Sequence, residues 1–505
     1  MDQAIKLLES GELKEQPEVE AGLRLTIAEI LDGNARSAEA LRLTEQALEI
    51  TQQVHTGDYP GVAASLSHAA SCLRSLGRSA EALPKYEAAL AMYQRLFEGD
   101  HPDVAKSLNN VAFCLDSLGR SAEALPKYEA ALAMFQRLFE GDHPDVASSL
   151  NNVAFCLKSL ARSAEALPKY EEALAMRQRL CEGDHPDVAQ SLNNMASCLE
   201  YLGRPAEALP KLEGALAMRQ RLFEGDHPDV ANSLNNVASC LEYLSRSAEA
   251  LPKYEEALAM RQRLFEGDHP DVATNLNNVA FCLDSLGRSA EALPKFEAAL
   301  AMYQRLFEGD HPDLAMGLNN VAGCLDSLDR SAEALPKYEA ALAMYQRLFE
   351  GDHPDVATGL HSVASCLRAL ARPGEALPKY EAALAMFQRV LPAGHPHTLY
   401  PQIGLARTLI NLERYSEAEP LLLDAAGQCD QSATSRRMHW RSVLEARVQL
   451  YEAWHTGEPD QGYDAQAAEW RAKLEDLRGN QATGQPSNGT TTQPAGSSAA
   501  SAEHP

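Results

Sequence analysis

The chain has 505 residues, 45% of them hydrophobic, 23% charged and only 6% aromatic. That apolar share can build a core and excludes a wholly disordered chain, and an alanine-rich, aromatic-poor make-up favours close helix packing over a β-rich fold. With 71 acidic against 45 basic side chains the formal charge is −26, the wrong sign for attraction to nucleic acid phosphates or anionic lipid, so neither is expected as a partner.

The opening MDQAIKLLESGELKEQPEVE is acidic and lacks the basic-then-apolar layout of a signal peptide, and no apolar run is long enough to span a bilayer. A cytoplasmic protein is expected, with residues 1–16 as an N-terminal helical cap. From residue 17 to residue 426 the chain repeats itself. The marks of the ten units are Arg36, Arg78, Arg120, Arg162, Arg204, Arg246, Arg288, Arg330, Arg372 and Arg414, spaced 42 residues apart.

In the unit containing Arg120, a first helix is expected from Pro102 to about Leu118, because proline costs nothing at the first helical position and Asp103 suits the positive end of the helix dipole. A second helix follows Ser121 as N-cap. It carries Ala124, Leu125, Tyr128, Ala131, Leu132, Leu138 and Phe139 at helical period, absorbs Pro126 as a slight bend and stops at Gly141. Glycine fills the turn between units from Gly57 through Gly351 to Gly394, which predicts positive φ there. The turn inside the unit holds Gly119 but also Ala161, Ser245, Asp329 and Ala371, so no left-handed conformation is expected at that point.

Eight of the ten cysteines recur at the same period: Cys72, Cys114, Cys156, Cys198, Cys240, Cys282, Cys324 and Cys366. One repeat apart, they are too distant for disulfides and read as small buried thiols. Cys181 aligns with Phe97, Phe139 and Phe223 and is expected to fill a core position, while Cys429 stands outside the repeats. HPD recurs from His101 through His143, His185, His227, His269 and His311 to His353, and the repetition marks it as a helix start. Nothing clusters like a metal site or converges like a catalytic one, so no metal, no cofactor and no enzyme activity are expected. Residues 427–478 are read as capping helices whose Trp440, Trp454 and Trp470 form a lid, and 479–505 as a disordered tail.

The unit resembles the tetratricopeptide repeat, whose signature small and large residues fall at Leu108, Val111, Ala112, Leu115, Ala124, Tyr128 and Ala131. At this period, the strings SLNNVA, EALPKYE and GDHPDVA are similar to the kinesin light chain variety. The resemblance covers residues 17–426. It implies an all-α fold, a right-handed superhelical solenoid of antiparallel helix pairs, and a scaffold or adaptor that binds a peptide or protein segment in its concave groove. QPEVEAGLRLTIAEIL and LYEAWHTGEPDQGYDAQAAEWRAKL resemble the flanks of bacterial arrays that follow a Ser/Thr kinase domain. That implies an alternative, an accessory array recruiting substrates to a kinase; a kinesin light chain-like cargo adaptor is another. Residues 1–16 are shorter than the heptad coiled coil that joins kinesin light chains to their motor, and no kinase glycine loop, HRD or DFG string occurs.

Helical periodicity separates Leu108, Val111, Ala112, Leu115 and Leu118 from Lys106, Asn109, Asn110, Phe113, Asp116 and Ser117. The resemblance implies that first helices line the groove, which gives the second set to the ligand. The candidate peptide-binding ladder is Asn109 and Asn110, Asn151 and Asn152, Asn193 and Asn194, Asn235 and Asn236, Asn277 and Asn278, with Asn319 and Asn320 continuing it. An amide can both donate to and accept from a peptide backbone, or equally bond across neighbouring helices to satisfy the scaffold. Selectivity is expected where units differ: Phe113, Phe155 and Phe281 against Ser197, Ser239 and Ser365, and Glu200-Tyr201 and Glu242-Tyr243 against Arg74, Lys158 and Arg368. The acidic, aromatic centre suits a basic or amphipathic peptide; neutral drift between duplicated units is the alternative.

Overall fold

The computed structural model describes residues 15–34, 36–431 and 433–483 together with Leu8 and Leu13. Most of the expected N-terminal cap, and residues 484–505 of the expected tail, lie outside the described residues. All regular structure among the described residues is helical, in two compact units, residues 1–264 and 265–505. The first unit holds six consecutive pairs: Pro17–Gly33 with Ser37–Val54, Pro60–Ser75 with Ser79–Leu96, Pro102–Ser117 with Ser121–Leu138, Pro144–Ser159 with Ser163–Leu180, Pro186–Tyr201 with Pro205–Leu222, and Pro228–Tyr243 with Ser247–Leu264. The second holds Pro270–Ser285 with Ser289–Leu306, Pro312–Ser327 with Ser331–Leu348, Pro354–Ala369 with Pro373–Val390, and Leu399–Asn411 with Tyr415–Gln431. It ends in a longer pair, Ala433–Gly457 with Tyr463–Thr483, so helix reaches five residues into the stretch expected to be unstructured from Gly479.

The seven first helices from Pro102–Ser117 to Pro354–Ala369 start on their histidine as well as on the proline and aspartate. His101 Nδ1 accepts the Asp103 backbone N–H at 3.2 Å, satisfying a donor that the helix leaves free. Its ring stacks on Phe97 with centroids 3.5 Å apart. The same cap and stack recur at His143 on Phe139. Cys181 stands where such a phenylalanine would meet His185. It is half-buried at the end of its helix, which overturns the expectation that it fills the core.

Two expectations about the second helix also fail. Ser121 is not an N-cap: it is the first helical residue after Arg120, and its hydroxyl donates to Asp116 Oδ1. The turn before it is left-handed from the second repeat to the tenth whatever residue stands there, with φ of 73° at Gly119, 57° at Ala161, 58° at Ser245 and Asp329, and 55° at Ala371. The cause is the hydrogen bonding of the helix end. Arg120 N–H reaches back to the Leu115 carbonyl at 2.9 Å and Gly119 N–H to Asp116 at 2.9 Å, a pairing that closes only with a left-handed residue between the helices. The turn between units keeps the positive φ expected of it, from 105° at Gly57 to 76° at Gly394. Pro126 sits within a helix that runs unbroken from Ser121 to Leu138.

Small residues let these helices approach closely. Ala105, Ala112, Ala124 and Ala131 are wholly inaccessible, and Tyr128 fills the space between them. Repeated cysteines serve the joint between pairs: Cys156 Sγ donates to the Ser121 carbonyl of the preceding pair at 3.3 Å, and Cys114, Cys198, Cys240, Cys324 and Cys366 make the equivalent bond. Arg137 forks onto Asp100, in the turn that leads into its own pair, at 2.6 and 2.8 Å, and the pattern repeats with Arg179 on Asp142. Within each unit, first helices touch the next first helix directly, as Pro60–Ser75 does Pro102–Ser117 and Pro312–Ser327 does Pro354–Ala369. Second helices make no comparable contact with one another among the described residues, so first helices form the inner wall of each stack. In the final pair Trp454 stacks between Tyr415 and Tyr463, and Arg447 covers the Trp470 ring at 3.5 Å.

Candidate functional site

The inner wall of the N-terminal unit carries most of the residues singled out from the sequence. Lys106, Asn110, Phe113 and Ser117 are exposed there, with Asn109 and Asp116 half-buried beside them. The two asparagines of each pair do different things. Asn109 Nδ2 donates to Ser149 Oγ of the next first helix at 3.1 Å, and Asn151 Oδ1 accepts from Asn194 at 2.7 Å. Asn193 is buried, and Asn235 is half-buried. The first asparagine is therefore tucked toward the neighbouring helix, which corrects the wheel's placement of both on the open face. The second is more open: Asn110 is exposed, and Asn152, Asn194 and Asn236 are half-buried.

Above the asparagines, Phe113 and Phe155 are each 42% exposed, unusual for phenylalanine. Cations cover both rings. Arg74 lies 4.9 Å from the Phe113 centroid, and Lys158 lies 5.6 Å from Phe155 and 5.2 Å from Tyr201. Lys158 Nζ also donates to Ser197 Oγ at 3.0 Å, and burial pushes its pKa down. Glu200 follows one unit later. Its Oε1 is buried without a hydrogen-bond partner, and burial pushes its carboxyl pKa up. Glu242 accepts from Tyr254 Oη at 3.2 Å. Beside these carboxylates Tyr201 and Tyr243 are the most open large apolar side chains of this unit, 72% and 65% exposed.

The C-terminal unit carries the remaining three candidates on its first inner helix. Asn277 is buried, Asn278 half-buried and Phe281 exposed. Sequence reasoning missed a cleft of about 400 Å³ in the N-terminal unit, lined by Ser67, His68, Ser71, Arg74, Tyr86, Asn110 and Phe113. Tyr86 belongs to a second helix, which a wheel of the first helix could not show. Among the described residues no group of three His, Cys, Asp or Glu side chains could hold a metal ion, and no helix is long and apolar enough to cross a membrane.

A family model of the tetratricopeptide repeat matches in nine overlapping copies from residue 20 to residue 428. The chain belongs to the tetratricopeptide repeat family. Solved structures similar to this repeat protein include the nearly identical repeats of a Podospora anserina protein described as kinesin light chain, at 19% identity and TM-score 0.38 over 42% of this chain and 100% of that one. BtubC from P. vanneervenii is 23% identical over 49% of this chain and 94% of its own, with TM-score 0.38. The apo form of RapI is 12% identical over 73% of this chain and 98% of its own, with TM-score 0.52, a likeness of fold. A comparison with curated protein sequences gives no match. As a tetratricopeptide repeat array the chain is a protein-interaction scaffold.

Proposed function

We propose that the inner wall of the N-terminal unit binds an extended basic peptide segment of a partner protein. The observation that carries this reading is the placement of Glu200, with a buried and unpartnered carboxylate oxygen, beside the open rings of Tyr201 and Tyr243 and the carboxylate of Glu242. A lysine or arginine of the ligand would supply the missing donor and lie against a tyrosine face. Asn110, Asn152 and Asn236 are the amides open enough to reach the ligand backbone, while Asn109 and the Asn151–Asn194 pair hold neighbouring helices in register behind them. Phe113 and Phe155, covered by Arg74 and Lys158, would favour an acidic or apolar residue at the far end of the segment. Asn277, Asn278 and Phe281 offer the same chemistry in the C-terminal unit. Arrays of basic, neutral and acidic peptides, applied to the wild type and to Glu200→Ala/Glu242→Ala, test the reading. The wild type should select basic peptides and the variant should lose that selection; unchanged selection would sink the proposal.

A further inference from the structure

The inner wall of the C-terminal unit departs from the repeat at neighbouring positions. Where earlier units carry paired asparagines, the helix Pro354–Ala369 carries His361 and Ser362, with Arg368 two turns on. In the next first helix, Leu399–Asn411, the position held by Phe281 and Ser365 is taken by Arg407. Earlier in the chain these two registers meet: they put Arg74 over Phe113 and Lys158 on Ser197. Here the same meeting sets Arg368 against Arg407. Burial and the adjacent Arg368 charge depress the Arg407 pKa.

Little in the protein answers these charges. The buried Nε atoms of Arg368 and Arg407 find no acceptor, nor does His361 Nδ1 or His439 Nε2 find a partner. Arg407 Nη2 donates to the Ser442 carbonyl at 3.2 Å and lies 3.6 Å from Glu445, a carboxylate that Arg441 already bonds at 2.9 Å. Arg407 therefore shares its one carboxylate with Arg441, and Arg368 makes no ion pair among the described residues. Tyr400 links the groups from one side, its ring centroid 6.0 Å from that of His361 and 4.5 Å from that of His439. Like charges held half-buried side by side are unfavourable unless an anion completes the site. Guanidinium forks match phosphate oxygens, and a dianion would balance both excess charges where one carboxylate would leave a guanidinium unmatched.

We propose that Arg368, Arg407 and His361, with His439 beyond Tyr400, form a binding site for a phosphate monoester or phosphate dianion. It stands apart from the peptide surface proposed above and does not depend on it. The test titrates the 505-residue chain with inorganic phosphate, a short phosphoserine peptide, its unphosphorylated form and acetate, following phosphorus NMR shifts and the thermal midpoint. Saturable binding of phosphate or phosphopeptide is expected, weaker by about tenfold in Arg368→Met or Arg407→Met, the size of one lost charge-assisted bond. Tighter binding of the phosphopeptide would name a peptide-borne group as the ligand, and equal binding the free ion. Because Arg368→Met relieves a repulsion, it should keep or raise the midpoint in phosphate-free buffer while losing the phosphate-dependent rise. Acetate binding as well as phosphate, no saturable binding, or binding unchanged in Arg368→Met/Arg407→Met would overturn the site.

Discussion

The left-handed residue between paired helices shows how much one position can conceal. Ala161, Ser245, Asp329 and Ala371 read as tolerance of any side chain, yet each holds the φ that Gly119 holds. The conformation is imposed from outside the residue: Arg162 N–H reaches the Leu157 carbonyl at 2.8 Å just as Arg120 reaches Leu115. A side chain with a Cβ costs roughly 1–2 kcal/mol in this region, and glycine gives back part of that in the entropy of the unfolded chain. Ala161→Gly should therefore stabilise the protein by about 1 kcal/mol, and Gly119→Ala should destabilise it by a similar amount. Denaturant unfolding measures both; a midpoint that moves in neither variant would show that the turn does not need this conformation.

At the level of helices, the joint between neighbouring pairs has two main designs. Five of the ten second helices of the repeats place an aromatic ring there: Tyr93, Phe135, Tyr303, Tyr345 and Phe387. Three consecutive ones place Arg177, Arg219 and Arg261. Arg219 is 5% exposed, and it donates to Ser233 Oγ at 2.8 Å and Gln190 Oε1 at 2.9 Å. Arg219→Ala should cost about 3 kcal/mol, since it leaves a cavity and strands two polar partners. Arg219→Phe, which borrows the neighbours' solution, should recover at least half of that loss by the same measurement. Equal stability of wild type and Arg219→Ala would remove this arginine from the joint. The helices themselves were legible from prolines, glycines and the period, because those signals are local. The joint was not, since a helical wheel sorts the faces of one helix and says nothing of what the next helix brings. The same blindness placed Asn109 and Asn151 on the open face when their amides bond across to Ser149 and Asn194. Glu200 and Tyr201 were visible as departures from a repeated string, whereas the partnerless Oε1 of Glu200 required the neighbouring unit to be seen.

Across the chain, nearly every strong contact joins a pair to itself or to the next pair. Arg120 forks onto Glu123 within its own pair, and Arg137 reaches only the Asp100 that precedes it. Stability in such an array is close to a sum of intrinsic and nearest-neighbour contributions, with no distant contact that any single pair must supply. The sequence offers a sharp test, because Ser121 and Ser163 are equivalent and the strings around them nearly identical. Deleting residues 121–162 joins Arg120 directly to Ser163 and removes one 42-residue repeat, with Lys106 taking the place of the Ser148 that accepts from Arg177. The Schellman-type turn, the cysteine contact and the arginine fork would all re-form with the next copy. The shortened chain should keep its helicity per residue by circular dichroism and unfold cooperatively at a slightly lower denaturant concentration. Loss of helicity beyond the deleted residues would mean that the array is held by contacts longer in range than the pair-to-pair joint.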